Sequence, residues 1–260
     1  MNNSTDGVFC LLRDPNAFFE WIRRGKHVQG GWLAIVSAVC LSIFGFVIGL
    51  PHSLWQAFSS AIKMPVLVIG AGLLCLPALY LFSLALGTRL SMTQVATVVL
   101  AGVSVTALLL AGFAPVVLAF VLTSESYPFL QLLAVGAVAI SGCVGLLYLL
   151  RGMEQVNLFE RAPVGLRRTV IGAWFMLYAF VGSQMGWRLS PFVGDPSEPF
   201  VWLQPSHGNL YIDVVHALES ALGLQVPVWN APPAWLGGLC VVPFILLTMG
   251  AGLVASSDEA

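Results

Sequence analysis

Long apolar runs, separated by short polar connections, dominate the pattern along this chain. Residues 1–30 are polar and basic, and the stretch from Gly31 to Leu50 then carries no formal charge until Pro51 stops it. A second run covers Met64 to Gly87, with Pro77 inside it predicting a kink. The third, Val95 to Leu122, is interrupted by Gly112 and Pro115, which predicts a tilted, kinked or broken span. Glu125 lies in the short connection to a fourth run at about Tyr127 to Leu150, followed by a fifth at Val170 to Trp187 and a sixth at Trp235 to Val254. Runs approaching about 20 apolar residues match the roughly 30 Å hydrocarbon core of a bilayer. The pattern therefore predicts an all-α, polytopic transmembrane helical bundle of six spans.

Two shorter segments have a different periodicity. Asp14 is placed as an N-cap, Pro15 at the first helical position and Gly25 as a stop, which predicts a short helix with Phe18, Phe19 and Ile22 on one face. Asn16, Glu20 and Arg23 fall on the other face, so this helix is expected to lie on the cytoplasmic leaflet, or else to dock a cytoplasmic partner through Phe18, Phe19 and Trp21. In the second segment, Asn209 caps a helix whose Leu210, Val214, Ala217, Leu218, Ala221 and Leu222 form an apolar stripe ended by Gly223. Both read as interfacial amphipathic helices. Ser91 and Gln94 read as a capping box at the start of the third span.

Composition agrees with the pattern, since 58% of residues are hydrophobic and only 9% charged. A soluble surface needs about 25% charged residues. The net charge of −1 gives no reason to expect a nucleic-acid partner. The distribution of charge is more informative. Arg13, Arg23, Arg24, Lys26, Arg89, Arg151, Arg161, Arg167 and Arg168 fall on one side of the predicted spans, leaving only Lys63 and Arg188 of the eleven basic residues on the other. The positive-inside rule places the larger set, and with it both termini, in the cytoplasm. Most tryptophans fall at span boundaries or in loops, as headgroup-level anchors do, and only Trp174 falls within a span. The absence of a eukaryotic targeting segment, together with this asymmetry, suits a bacterial inner membrane.

Four parts follow: a cytoplasmic segment at 1–30, a five-span membrane domain at 31–187, a long extracytoplasmic loop at 188–234, and the sixth span with a short tail at 235–260. The run LLRDPNAFFEWI, followed by an apolar span and by KMPVLVIGAGLLCLPALYLFSLALGTRLSMTQV, resembles the bacterial branch of the Yip1 family of multi-span membrane proteins over about residues 10–187. The resemblance rests on Asp14, Pro15, Phe18 and Phe19 and the clustered spans behind them. It implies membrane organisation and no catalytic residues. The sixth span and its preceding loop depart from that family's pattern.

Candidate chemistry is sparse. The predicted span cores hold no ionisable residue, with Gln131 and Gln184 as their main polar groups, which argues against proton coupling. Small residues at spacings of four, namely Gly45 and Gly49, Ala137, Ser141 and Gly145, and Gly182 and Gly186, predict close helix packing within the chain first and between copies second. The 188–234 loop holds seven of the fifteen prolines and several aromatics. Within it His207, Asp213 and His216 are the one grouping that could share a metal or move a proton, although a solvated polar face is the plainer reading. Arg188, beside Trp187, is placed to meet an anionic headgroup or to anchor the interface. No catalytic residue, cofactor site or metal site is assigned. The expected partners are the lipid bilayer and a membrane protein or second copy met through the small-residue faces. The reading is of a non-enzymatic membrane protein that organises or associates with other membrane components. The alternatives are a transport-related permease or complex subunit and, more weakly, a membrane enzyme acting at the outer face.

Overall fold

In the computed structural model the described residues are 10, 11, 13–24, 30–85, 87, 91–124, 126–156, 164–194 and 199–203, all within one unit of the chain. Among them all regular structure is helical: α1 (Pro15–Arg23), α2 (Gly30–Gly49), α3 (Leu54–Ala85), α4 (Met92–Thr123), α5 (Tyr127–Gln155) and α6 (Val164–Leu189). Central α4 packs against α1, α2, α3 and α5, while α3 also contacts α2 and α6. Val98, Ala101 and Val105 are buried in one core cluster and Ala107 and Leu110 in a second, so α4 is covered on more than one side.

Among the described residues four helices, α2 to α5, are long and apolar enough to cross a membrane. Six were expected, and the difference lies in the last two. Helix α6 covers the fifth predicted span, but Trp174, Tyr178, Ser183, Gln184 and its terminal arginines dilute its apolar character. The sixth, at 235–254, lies outside the described residues, as does the amphipathic helix expected at 209–223.

The third span is continuous, which removes the broken one of the three expected alternatives. Helix α4 runs through Gly112 and Pro115, with Ala114 and Val117 buried on neighbouring turns. A proline removes one ladder bond, whereas an open break in hydrocarbon would leave several backbone groups unpaired, so continuity is the cheaper arrangement. The Ser91 and Gln94 capping box is formed as expected.

Two of the three small-residue stripes serve packing within the chain. A Cβ on Gly45 would lie 2.3 Å from the Ser60 carbonyl oxygen, and one on Gly49 would lie 2.6 Å from Ala57 Cα, so these glycines let α2 and α3 approach. Gly145 meets Gly102 and Thr106 of α4 in the same way, with Ala137 and Ser141 buried on the same helix. Gly182 of the third stripe has open space around its Cα.

The N-terminal helix departs most from its expected role. Asp14 Oδ1 accepts from the Ala17 N–H at 3.1 Å and Pro15 opens the helix, as its residues predict. Its apolar face, however, meets protein: Phe18, Phe19 and Ile22 are buried in one core cluster with Val95, Val98, Leu149 and Met153. Phe19 packs on Tyr148, Gln94 Nε2 donates to the Ile22 carbonyl at 2.8 Å, and the Tyr148 hydroxyl donates to the Leu11 carbonyl at 2.8 Å. Phe18 and Phe19 thus belong to the bundle core, and Trp21 is half-buried. A face that burial against α4 and α5 already satisfies is not left for lipid or a docking partner.

Candidate functional site: a buried polar row in the third helix

Residues 52–63 read as a semi-polar connection, yet α3 begins at Leu54. Ser53 starts it, its hydroxyl accepting from the Gln56 N–H at 3.2 Å, and no glycine or proline follows until Pro65. The first turns are inside out by the standards of a soluble helix. Leu54, Trp55, Phe58, Ile62 and Val66 are exposed, whereas Gln56, Ser59, Ser60 and Lys63 are all at most 2% exposed. An apolar outer face with a polar inner one is what hydrocarbon surroundings select. The sequence carries this signal in the spacing of Gln56, Ser60 and Lys63, one helical face, with apolar residues between them.

The depth of Lys63 follows from its neighbours. Gly49, at the end of α2, lies against Ala57, and Gly45 lies against Ser60 and Met64. Lys63 is six residues further along than Ala57, which places it about 9 Å below the end of α2. The expected start of the second span at Met64 therefore moves back to Leu54, and Lys63 joins the helix. Lys63 is within a membrane-capable helix and buried, because the helix begins ten residues earlier than Met64 and carries Lys63 inward with it.

Opposite this row lies the chain leaving α6. After Leu189 the backbone turns through a cis Ser190–Pro191 peptide and continues without regular structure to Gly194. Its carbonyl groups have no helical partners, and the polar row supplies donors. Gln56 Nε2 donates to the Pro191 carbonyl at 2.7 Å, Lys63 Nζ donates to the same oxygen at 3.2 Å, and the Ser60 hydroxyl donates to the Phe192 carbonyl. Phe192 and Val193 pack into the core cluster around Leu41, Phe44 and Met64, and Gly194 sits closely on His52 and Gln56. Irregular backbone buried against protein needs hydrogen-bond partners, which the row supplies.

Two features near Lys63 lie outside this latch of the polar row on the 190–194 segment. The Lys63 ammonium stands 5.6 Å from the centroid of the half-exposed Trp202 ring, a favourable cation–π placement. Neither that ring nor a carbonyl carries a countercharge, and among the described residues the ion pairs are those of Glu20 with Arg23 and Arg24. The Ser59 hydroxyl, one turn before Lys63, is buried without a hydrogen-bond partner.

Of the other residues singled out from the sequence, Arg188 is exposed at the end of α6 with its guanidinium 5.3 Å from the Trp187 ring centroid, as an interfacial anchor would be. His207, Asp213 and His216 lie outside the described residues. Among the described residues no group of three or more histidine, cysteine, aspartate or glutamate side chains converges. Trp174, the tryptophan inside a span, is fully buried, stacks on Tyr178 and donates from Nε1 to the Cys75 carbonyl at 2.9 Å, tying α6 to α3. No protein-family model, curated protein or solved structure matches this chain.

Proposed function

We propose that this chain is a non-enzymatic integral membrane protein that organises or associates with other membrane components. One observation carries the reading: polar side chains inside the bundle donate to carbonyl groups of other segments of the same chain. Gln56, Ser60 and Lys63 hold the 190–194 segment, Gln94 and Tyr148 hold α1 and the residues before it, and Trp174 holds α3. Side chains so used build a rigid body, and the outward-facing Ile35, Val39, Ile43, Leu73, Leu74 and Leu81 offer lipid or a neighbouring membrane protein an apolar surface. Six spans, cytoplasmic termini and a bacterial inner membrane complete the proposal, supported by the nine-to-two division of basic residues. The likeness of residues 10–187 to the Yip1 family points to the same class of role.

A transport-related permease or subunit is the second reading, and buried Lys63 favours it, since ionisable groups at membrane depth are costly and are kept for use. Reconstitution separates the two. Purified alone into liposomes, the chain is expected to pass no ions or small solutes, while in native membranes it migrates in an assembly larger than one chain. Solute flux from the purified chain that is lost in Lys63→Gln would establish the second reading and overturn the first. An enzyme acting at the outer face would require that Asp213→Ala with His216→Ala fail to complement a deletion strain.

A further inference from the structure

We infer that Lys63, Ser59 and Trp202 form a binding site for a phosphate-type oxyanion at the outer end of α3. Lys63 has three N–H donors, of which the Pro191 carbonyl takes one and the Trp202 ring faces the ammonium from another side. A second hydroxyl donor, Ser59, is four residues before it, where side chains on a helix stand about 5–6 Å apart. That hydroxyl is 0% exposed and has no partner. Leaving a buried donor unpaired is costly, and burying a cation such as Lys63, which has no opposite charge beside it among the described residues, costs more. Water could satisfy the hydroxyl but leaves the charge uncompensated. An anionic oxygen satisfies both.

The backbone carbonyl groups of Pro191 and Phe192 occupy the Gln56 and Ser60 side, and among the described residues no carboxylate pairs with Lys63. Trp202, 49% exposed, is the member of this group that meets the surroundings. Around the site Leu54, Phe58 and Ile62 expose apolar surface suited to acyl chains. A phospholipid headgroup and free phosphate present the same oxygen chemistry to Lys63.

The full chain, stripped of lipid in a maltoside detergent, allows the two sources to be compared. One arm titrates inorganic phosphate and the other short-chain phosphatidylglycerol, each followed by tryptophan fluorescence and by the melting temperature. Saturable change in either arm is expected, with the fluorescence component absent in Trp202→Phe, binding lost in Lys63→Gln and binding about tenfold weaker in Ser59→Ala, the loss of one charge-assisted hydrogen bond. Response to phosphatidylglycerol alone assigns a lipid, and response to inorganic phosphate assigns a free oxyanion. Absence of saturable change in both arms would overturn the site. So would wild-type affinity in Ser59→Ala, a variant small enough to fold whether or not Lys63→Gln does.

Discussion

The ring of Phe19 occupies the space that a side chain at residue 152 would need: a Cβ built on Gly152 would lie 2.4 Å from Phe19 Cε1. Residues far apart in sequence are thereby fitted to each other, and the fit decides what the N-terminal helix does. A helix held only by lipid would need no glycine beneath it. Gly152→Val is expected to destabilise the protein by about 1–3 kcal/mol through overpacking, read as a lower midpoint of unfolding in detergent. An unchanged midpoint would mean that α1 does not sit on α5.

Phe19→Ala tests the same contact from the other side. Emptying a buried phenyl site costs about 3–5 kcal/mol. The loss should appear in lipid-free micelles, because the cavity is in the protein. If the variant were stable in detergent and altered only in its affinity for liposomes, the helix would be a membrane anchor after all.

Close approach of α2 and α3 depends on Gly45, where a Cβ would strike the Ser60 backbone. Backbone cannot yield as a flexible side-chain tip can. Gly45→Val should lower stability by about 2 kcal/mol or more, whereas Gly182→Ala, with open space around the glycine, should be neutral or mildly stabilising in its helix. Equal effects at the two sites, measured by unfolding in detergent, would remove the distinction between a glycine used in packing and one with open space around it.

Trp174 gives a smaller and more specific expectation. Trp174→Phe keeps most of the ring but removes the donor to the Cys75 carbonyl, which should cost about 1–2 kcal/mol. Trp187→Phe, at the half-buried end of α6, should change stability by less than about 0.5 kcal/mol. Thermal unfolding of the two variants side by side checks the contrast.

Much of the architecture was legible from residues with a local cause. Asp14 and Pro15 start a helix, Ser91 and Gln94 cap another, and Gly45 with Gly49 marks a close crossing, because each acts over one or two turns. The missed features depend on neighbours that no local pattern names. Phe18 and Phe19 make an amphipathic face whether lipid or protein covers it, and only the positions of Gly152 and Tyr148 decide between the two. Pro115 leaves tilt, kink and break open because its cost is local, while the benefit of continuity comes from the packing of Ala114 and Val117. Lys63 reads as part of a semi-polar connection because polar residues suggest water. In lipid the inference reverses, and polar residues at helical spacing mark the inside.

That reversal at Lys63 supports the placement of α3, the latch on the 190–194 segment and the oxyanion site together. The chain has two lysines, Lys26 and Lys63, so amine acylation followed by peptide mass spectrometry reads each separately in the unaltered protein. A buried Lys63, 2% exposed, should be acylated in folded protein at least about tenfold more slowly than in the same protein unfolded in SDS, since reaction must await local opening. Acylation of Lys63 at the same rate in folded and unfolded protein would contradict the account, returning residues 54–63 to a solvated loop.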